Sequence, residues 1–138
     1  MASLRHNFIV SAIVRKMRKS GYDITFLEGR WQDVGTHKYN LPPKIISHRP
    51  DIIGENKFGF CIGEAKTKND IFSERTFEQF KDYTTALNLA GNNKLIIGVP
   101  LSAKEDLQQL LYKLGIKDNP RIEVLYIPTE VLPNEEEI

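Results

Sequence analysis

Three residues of this chain have the types and spacing to do chemistry together: Asp51, Glu64 and Lys66. They lie in the stretch "RPDIIGENKFGFCIGEAKT", residues 49–67, whose apolar residues read as the two strands of a hairpin around the turn "ENKFG". Side chains alternate along a strand. One face of the second strand therefore carries Phe58, Phe60, Ile62, Glu64 and Lys66, and the other carries Gly59, Cys61, Gly63 and Ala65. Glu64 and Lys66 are two strand steps apart, roughly 6–7 Å between Cα atoms, so a plain ion pair is one reading. Asp51 comes from the neighbouring strand and can approach the same face, with Pro50 able to re-aim that strand. Two carboxylates among apolar residues repel, and one lysine compensates them only in part. A hard divalent cation such as Mg²⁺, or Mn²⁺ in its place, resolves this because it takes oxygen ligands and keeps several waters. On that reading Asp51 and Glu64 hold the metal, and the backbone carbonyl of Ala65 adds a further oxygen. The metal would polarise a phosphoryl oxygen and make bound water more acidic. Lys66 would orient or deprotonate the attacking water, or stabilise charge on phosphorus. The reaction class is metal-assisted hydrolysis of a phosphodiester.

The elements that must position these groups follow from periodicity. Leu4, Phe8, Ile9, Ala12, Ile13 and Met17 recur at helical spacing over residues 3–20, and Gly21 is a natural cap. "YDITFLE", residues 22–28, reads as a strand. "GRWQDVGTHKYNLPP", residues 29–43, is a loop long enough to suspect a functional role. "KIISHRPDIIGE" reads as a strand interrupted near Pro50. A helix is expected over residues 73–90, with Phe77, Phe80, Tyr83 and Leu87 giving its period. "KLIIGVP", residues 94–100, has the continuous apolar character of a strand buried on both faces. Ser102 and Glu105 are spaced as a capping box opening a helix to Leu114, which Gly115 closes, and "RIEVLYIP" is a last strand. The order α-β-β-β-α-β-α-β predicts an α/β fold, a single mixed sheet with helices packed against it.

A chain of 138 residues with 41% hydrophobic and 27% charged content fits one globular domain. No apolar run is long enough to span a membrane. The basic residues near the start follow the apolar ones, the wrong order for a secretory signal. Cys61 is the single cysteine, so no internal disulfide forms, and a reducing cytoplasm is the expected location. The net charge of +1 hides an asymmetry: residues 1–49 hold nine Lys/Arg against three Asp/Glu, and residues 50–138 hold ten against fifteen, ending in an acidic tail over 129–138. "RKMRK" can serve phosphate binding, or it can be the solvated end of a helix whose dipole favours cations there.

"PD" at Pro50–Asp51, twelve residues, then "EAK" at Glu64–Lys66 resembles the signature of the PD-(D/E)XK nuclease superfamily. The resemblance implies a restriction-endonuclease-like αβββαβ core over about residues 3–100, with an added C-terminal αβ unit over about 101–128. "QFKDY" supplies a Q-x-x-x-Y pair, Gln79 and Tyr83, on one face of the helix after the lysine. In the RecB-like and lambda-exonuclease-like branch such a pair implies a role beside the active site and in DNA contact; otherwise Tyr83 packs in the core and Gln79 is solvated. His6, on the first helix, matches that branch's helix-borne histidine at the metal site, and also fits a packing role. Residues 3–20 contain no Asp or Glu, which departs from the acidic residue carried there by archaeal Holliday-junction resolvases. The resemblance thus implies a Mg²⁺-dependent deoxyribonuclease, with DNA repair or recombination, restriction and viral genome processing all open as its setting. A compact single domain has little surface for tracking along DNA, so a homodimer or a subunit of a larger nucleic-acid-processing assembly is expected. Arg15, Lys16, Arg18, Lys19, Arg30, Lys38 and Arg49 are candidate phosphate contacts of the sequence-independent kind, and His48 beside Arg49 could join them. The alternatives are a nuclease-fold domain that binds nucleic acid or protein without catalysis, and a Holliday-junction-resolvase-like structure-specific endonuclease.

Overall fold

The computed structural model describes residues 3–28 and 39–134. Helix α1 spans Leu4–Lys19. It starts at Ser3, whose hydroxyl accepts the His6 backbone N–H at 3.1 Å, and its last turn carries Lys16, Arg18 and Lys19. Gly21 reverses the chain at φ +91°, a conformation glycine adopts without strain. Strand β1 (Asp23–Leu27) follows, then β2 (Ile52–Asn56) and β3 (Gly59–Ala65), then helix α2 (Glu74–Ala86), β4 (Lys94–Pro100), helix α3 (Lys104–Lys113) and β5 (Ile122–Ile127).

The strands form one mixed sheet in the order β1-β2-β3-β4-β5. The first three make an antiparallel meander, and β4 and β5 join parallel through α2 and α3. The sheet is thus flanked by helices, and the element order is the expected one. α1 lies on one face, where Ile9, Val10, Ile13, Val14 and Met17 pack against Leu27, Ile52, Cys61, Ala65 and Ile96. α2 and α3 cover the other face, where Phe80, Tyr83, Leu107 and Leu111 meet Ile62, Leu95, Ile97 and Val99. The small residues of β3 and β4 admit α1 closely. A Cβ on Gly63 would stand 2.7 Å from Met17 Cε, and one on Gly98 would stand 2.7 Å from Ile9 Cγ2.

Three local expectations are corrected. Ser102 does not cap α3: a 3₁₀ turn, Leu101–Ala103, precedes the helix, and the Ser102 N–H is donated instead to Thr129 Oγ1 at 3.1 Å. Residues 44–49 form no regular strand, only the bridge Ile45–His48, because the turn and Pro50 withhold ladder bonds. The helix expected to reach residue 90 ends at Ala86. Among the described residues, no helix is long and apolar enough to cross a membrane.

Candidate functional site

The ladder between β2 and β3 pairs Ile52 with Gly63, so Asp51 and Glu64 face each other one step past its end. There the side chains take over from the backbone. Asp51 N–H donates to Glu64 Oε1 at 3.2 Å, and Ala65 N–H donates to Asp51 Oδ2 at 2.9 Å. Lys66 follows the last residue of β3 and is tied to β4 by its N–H to Gly98 O at 3.0 Å. Its Nζ lies 3.4 Å from Glu64 Oε2 and donates to Gln79 Oε1 at 2.5 Å. Asp51, Glu64 and Lys66 are 5%, 3% and 8% exposed. The three side chains that the sequence singles out therefore share one buried cluster.

The helices complete it from both faces. Gln79 and Tyr83, one turn apart on α2, are buried; Gln79 holds the lysine, and the Tyr83 hydroxyl reaches Glu64 Oε1 at 3.5 Å. From α1, His6 Nε2 lies 3.2 Å from Asp51 Oδ2. Its Nδ1 is buried without a hydrogen-bond partner.

Electrostatics follow from this burial. Removal from water, and then the neighbouring Asp51 charge, hold the Glu64 carboxyl well above the usual carboxylate range, with Lys66 opposing. Burial also pushes the Tyr83 phenol up, reinforced by Glu64 and Asp51. For His6, burial acts to lower the pKa, but the hydrogen bond and charge of Asp51 outweigh it, and the net direction is up. The ionised cluster thus holds two carboxylates against one ammonium.

The described residues contain no ready-made group of three or more His, Cys, Asp or Glu donors. A cation that keeps part of its water shell requires fewer protein ligands than such a cage. Two buried carboxylates that repel, with the backbone of Ala65 bound beside them through its N–H, fit a hard divalent ion in donor type, and His6 adds a softer nitrogen donor that Mn²⁺ accepts more readily than Mg²⁺.

The candidate phosphate contacts divide. Lys16 and Lys19 lie ten or more residues along α1 from His6, about 15 Å or more at 1.5 Å per residue. Lys16 pairs with Glu123 at 3.3 Å, and Arg18 donates to the Tyr39 hydroxyl at 3.0 Å. This end of the helix, Arg15 included, is away from the cluster, where its cations meet the C-terminal dipole. Arg49 sits two residues before Asp51, near enough to influence Glu28. Arg30 and Lys38 lie outside the described residues, as does His37. His48 is held by Asp82, Nδ1 to Oδ2 2.7 Å.

Two residues were missed from sequence. Glu28 follows Leu27, which pairs with Ile52, so it stands opposite Asp51, and its N–H donates to Asp51 O at 2.9 Å. Burial and then Asp51 raise its pKa. Arg75, in the first turn of α2, acts electrostatically on both Glu28 and Tyr83. The signal for Arg75 was available: it precedes Gln79 and Tyr83 at steps of four, extending their helical face by one turn. In comparisons with known proteins, the chain matches no family model, no curated protein and no solved structure.

Proposed function

We propose that this protein is a divalent-cation-dependent deoxyribonuclease that hydrolyses DNA phosphodiester bonds, with Mg²⁺ as the working ion and Mn²⁺ able to replace it. The observation that carries this reading is the buried Asp51–Glu64–Lys66 cluster, in which each charged side chain is oriented by a further residue. Asp51, Glu64 and the Ala65 carbonyl would hold the cation, with His6 as an additional ligand or as the group that orients Asp51. When bound, the cation supplies Lewis-acid stabilisation of the negative phosphoryl oxygens.

The remaining work falls to the chain's own groups. Lys66 has three Nζ donors; Gln79 and Glu64 engage two, which leaves the third for a ligand. That donor can hold an attacking water or stabilise the charge that develops on phosphorus. Gln79 fixes the lysine rotamer, so the charge needs little reorganisation as the reaction proceeds. Tyr83 and Gln79, both buried, cover the cluster from the α2 side. Arg49 and Arg75 are suited to bind flanking phosphates, giving salt-sensitive, sequence-independent affinity.

The test is digestion of labelled linear, circular, single-stranded and branched DNAs with Mg²⁺, Mn²⁺ or chelator. Cleavage should require the cation and disappear in Asp51→Asn and Lys66→Ala proteins of unchanged melting behaviour. Full cleavage by folded Lys66→Ala, or cleavage indifferent to chelator, would overturn the mechanism.

A further inference from the structure

The face of the sheet that carries α2 and α3 is left partly open over β1 and β2. There a groove of about 520 Å³ runs over Phe26, Ile53 and Phe60, with Leu89 on one wall and Ile46 on the other. Leu89 and Ile46 are both more than half exposed. Ile46 is unusual in its backbone as well. It is the one non-glycine residue at positive φ among those described, at +59°. A β-branched residue in this region is strained.

The strain is imposed by a constructed turn. Ile45 and His48 exchange backbone hydrogen bonds at 2.7 and 3.2 Å, and Asp82 of α2 accepts the Ser47 N–H at 3.1 Å and binds His48 Nδ1 at 2.7 Å. Glycine would occupy position 46 without steric strain. What isoleucine adds is an apolar side chain held out at the lip of an apolar groove. Strained backbone maintained by its surroundings is a reason to look for a function at that point.

Two charges line the same groove, Lys44 and Glu55. Neither forms an ion pair with another described residue. In a two-fold contact one surface meets its own copy, so residue i contacts j and j contacts i. One unpaired cation and one unpaired anion beside an apolar groove, with an apolar knob at its lip, form a self-complementary set.

We propose that this groove is the contact between two copies of this chain, Ile46 of each packing into the groove of the other and Lys44 of each meeting Glu55 of the other. The contact is independent of whether the buried cluster cleaves DNA. Sedimentation equilibrium of the full chain over a wide concentration series tests it. The wild type should dimerise. Lys44→Glu and Glu55→Lys should each weaken the dimer about tenfold or more, the order seen when an interface anchor is lost. The double variant, with both charges exchanged, should restore it. Ile46→Gly removes the side chain and keeps a backbone that the turn accepts; at concentrations where both proteins are monomeric it should remain folded, and at higher concentration its dimer should be weaker. A wild type monomeric throughout the series overturns the proposal. So does a dimer that survives the single variants and Ile46→Gly, or single defects that the double exchange does not repair.

Discussion

Gly98→Ala tests whether the close approach of α1 positions His6 in the cluster. The added methyl would lie 2.7 Å from Ile9 Cγ2 and 2.8 and 2.9 Å from Ile13 Cδ1 and Cγ1. Ordinary carbon contacts need at least about 3.5 Å, so the shortfall is close to 0.8 Å. Ile9 and Ile13 are fully buried and β-branched on a helix, where one χ1 rotamer dominates, so they cannot swing aside. The helix itself must shift. Overpacking of this kind costs about 2–3 kcal/mol, or roughly 6–12 °C in melting temperature for a domain of this size. The same shift must lengthen the 3.2 Å contact between His6 and Asp51. Circular dichroism melts and calorimetric titration with Mn²⁺ measure the two effects on one sample. Gly63→Ala should cost somewhat less: its closest neighbour, Met17 Cε at 2.7 Å, is the end of a flexible side chain, while the stiffer Ile13 Cγ2 and Ile52 Cδ1 stand at 2.9 Å. Gly54→Ala, whose nearest neighbours stand at 3.2 Å or more, should cost least. If Gly98→Ala melts with the wild type, or melts lower yet binds Mn²⁺ unchanged, then close packing of α1 does not position the site.

Glu64→Gln should leave the cation-free protein folded, because the charge lost beside Asp51 offsets the pair given up with Lys66, while abolishing Mn²⁺ binding. The folded-state pKa of Glu64 lies above its unfolded value, so the folded state binds more protons and stability falls as pH rises from the ordinary carboxylate range through the raised one. Urea melts across that range should show this fall in wild type and lose the Glu64 share of it in the variant; an identical pH profile in both would refute the assignment. His6→Ala should weaken Mn²⁺ binding by roughly tenfold, as loss of an orienting partner does, and an unchanged titration would remove His6 from the site. Tyr83→Phe loses only a 3.5 Å contact and should cost under about 1 kcal/mol, whereas Tyr83→Ala empties a fully buried site at about 3–5 kcal/mol; activity lost by the phenylalanine variant without a lower melting point would assign the hydroxyl a part in the reaction.

Much of this architecture was legible in the chain because the signals are local. Helical spacing in residues 3–20 marks the face of α1 that becomes buried, and the apolar run of residues 94–100 marks the central strand. Alternation along β3 separates Glu64 and Lys66 from the small residues that admit α1. Those patterns depend only on bond geometry repeated every two or 3.6 residues. Local pattern also misled: Ser102 and Glu105 have the spacing of a capping box, but the 3₁₀ turn after β4 and the Thr129 hydroxyl claim that segment. The basic "RKMRK" run has the composition of a phosphate site, yet its position about ten residues along α1 from His6 carries it away from Asp51.

The amino-acid sequence alone determined the order of the elements, the faces they bury and the presence of two carboxylates and a lysine at matching strand ends. Tertiary structure decided which groups meet them: His6 across 45 residues of chain, Gln79 and Tyr83 through the crossover, Glu28 through the strand register. It also decided that residues 45–48 would form a turn strained enough to hold an isoleucine outward, clamped by Asp82 from 34 residues away. The physical reason is that a one-residue slip in register exchanges the faces of a strand, and register is set by all the packed elements together.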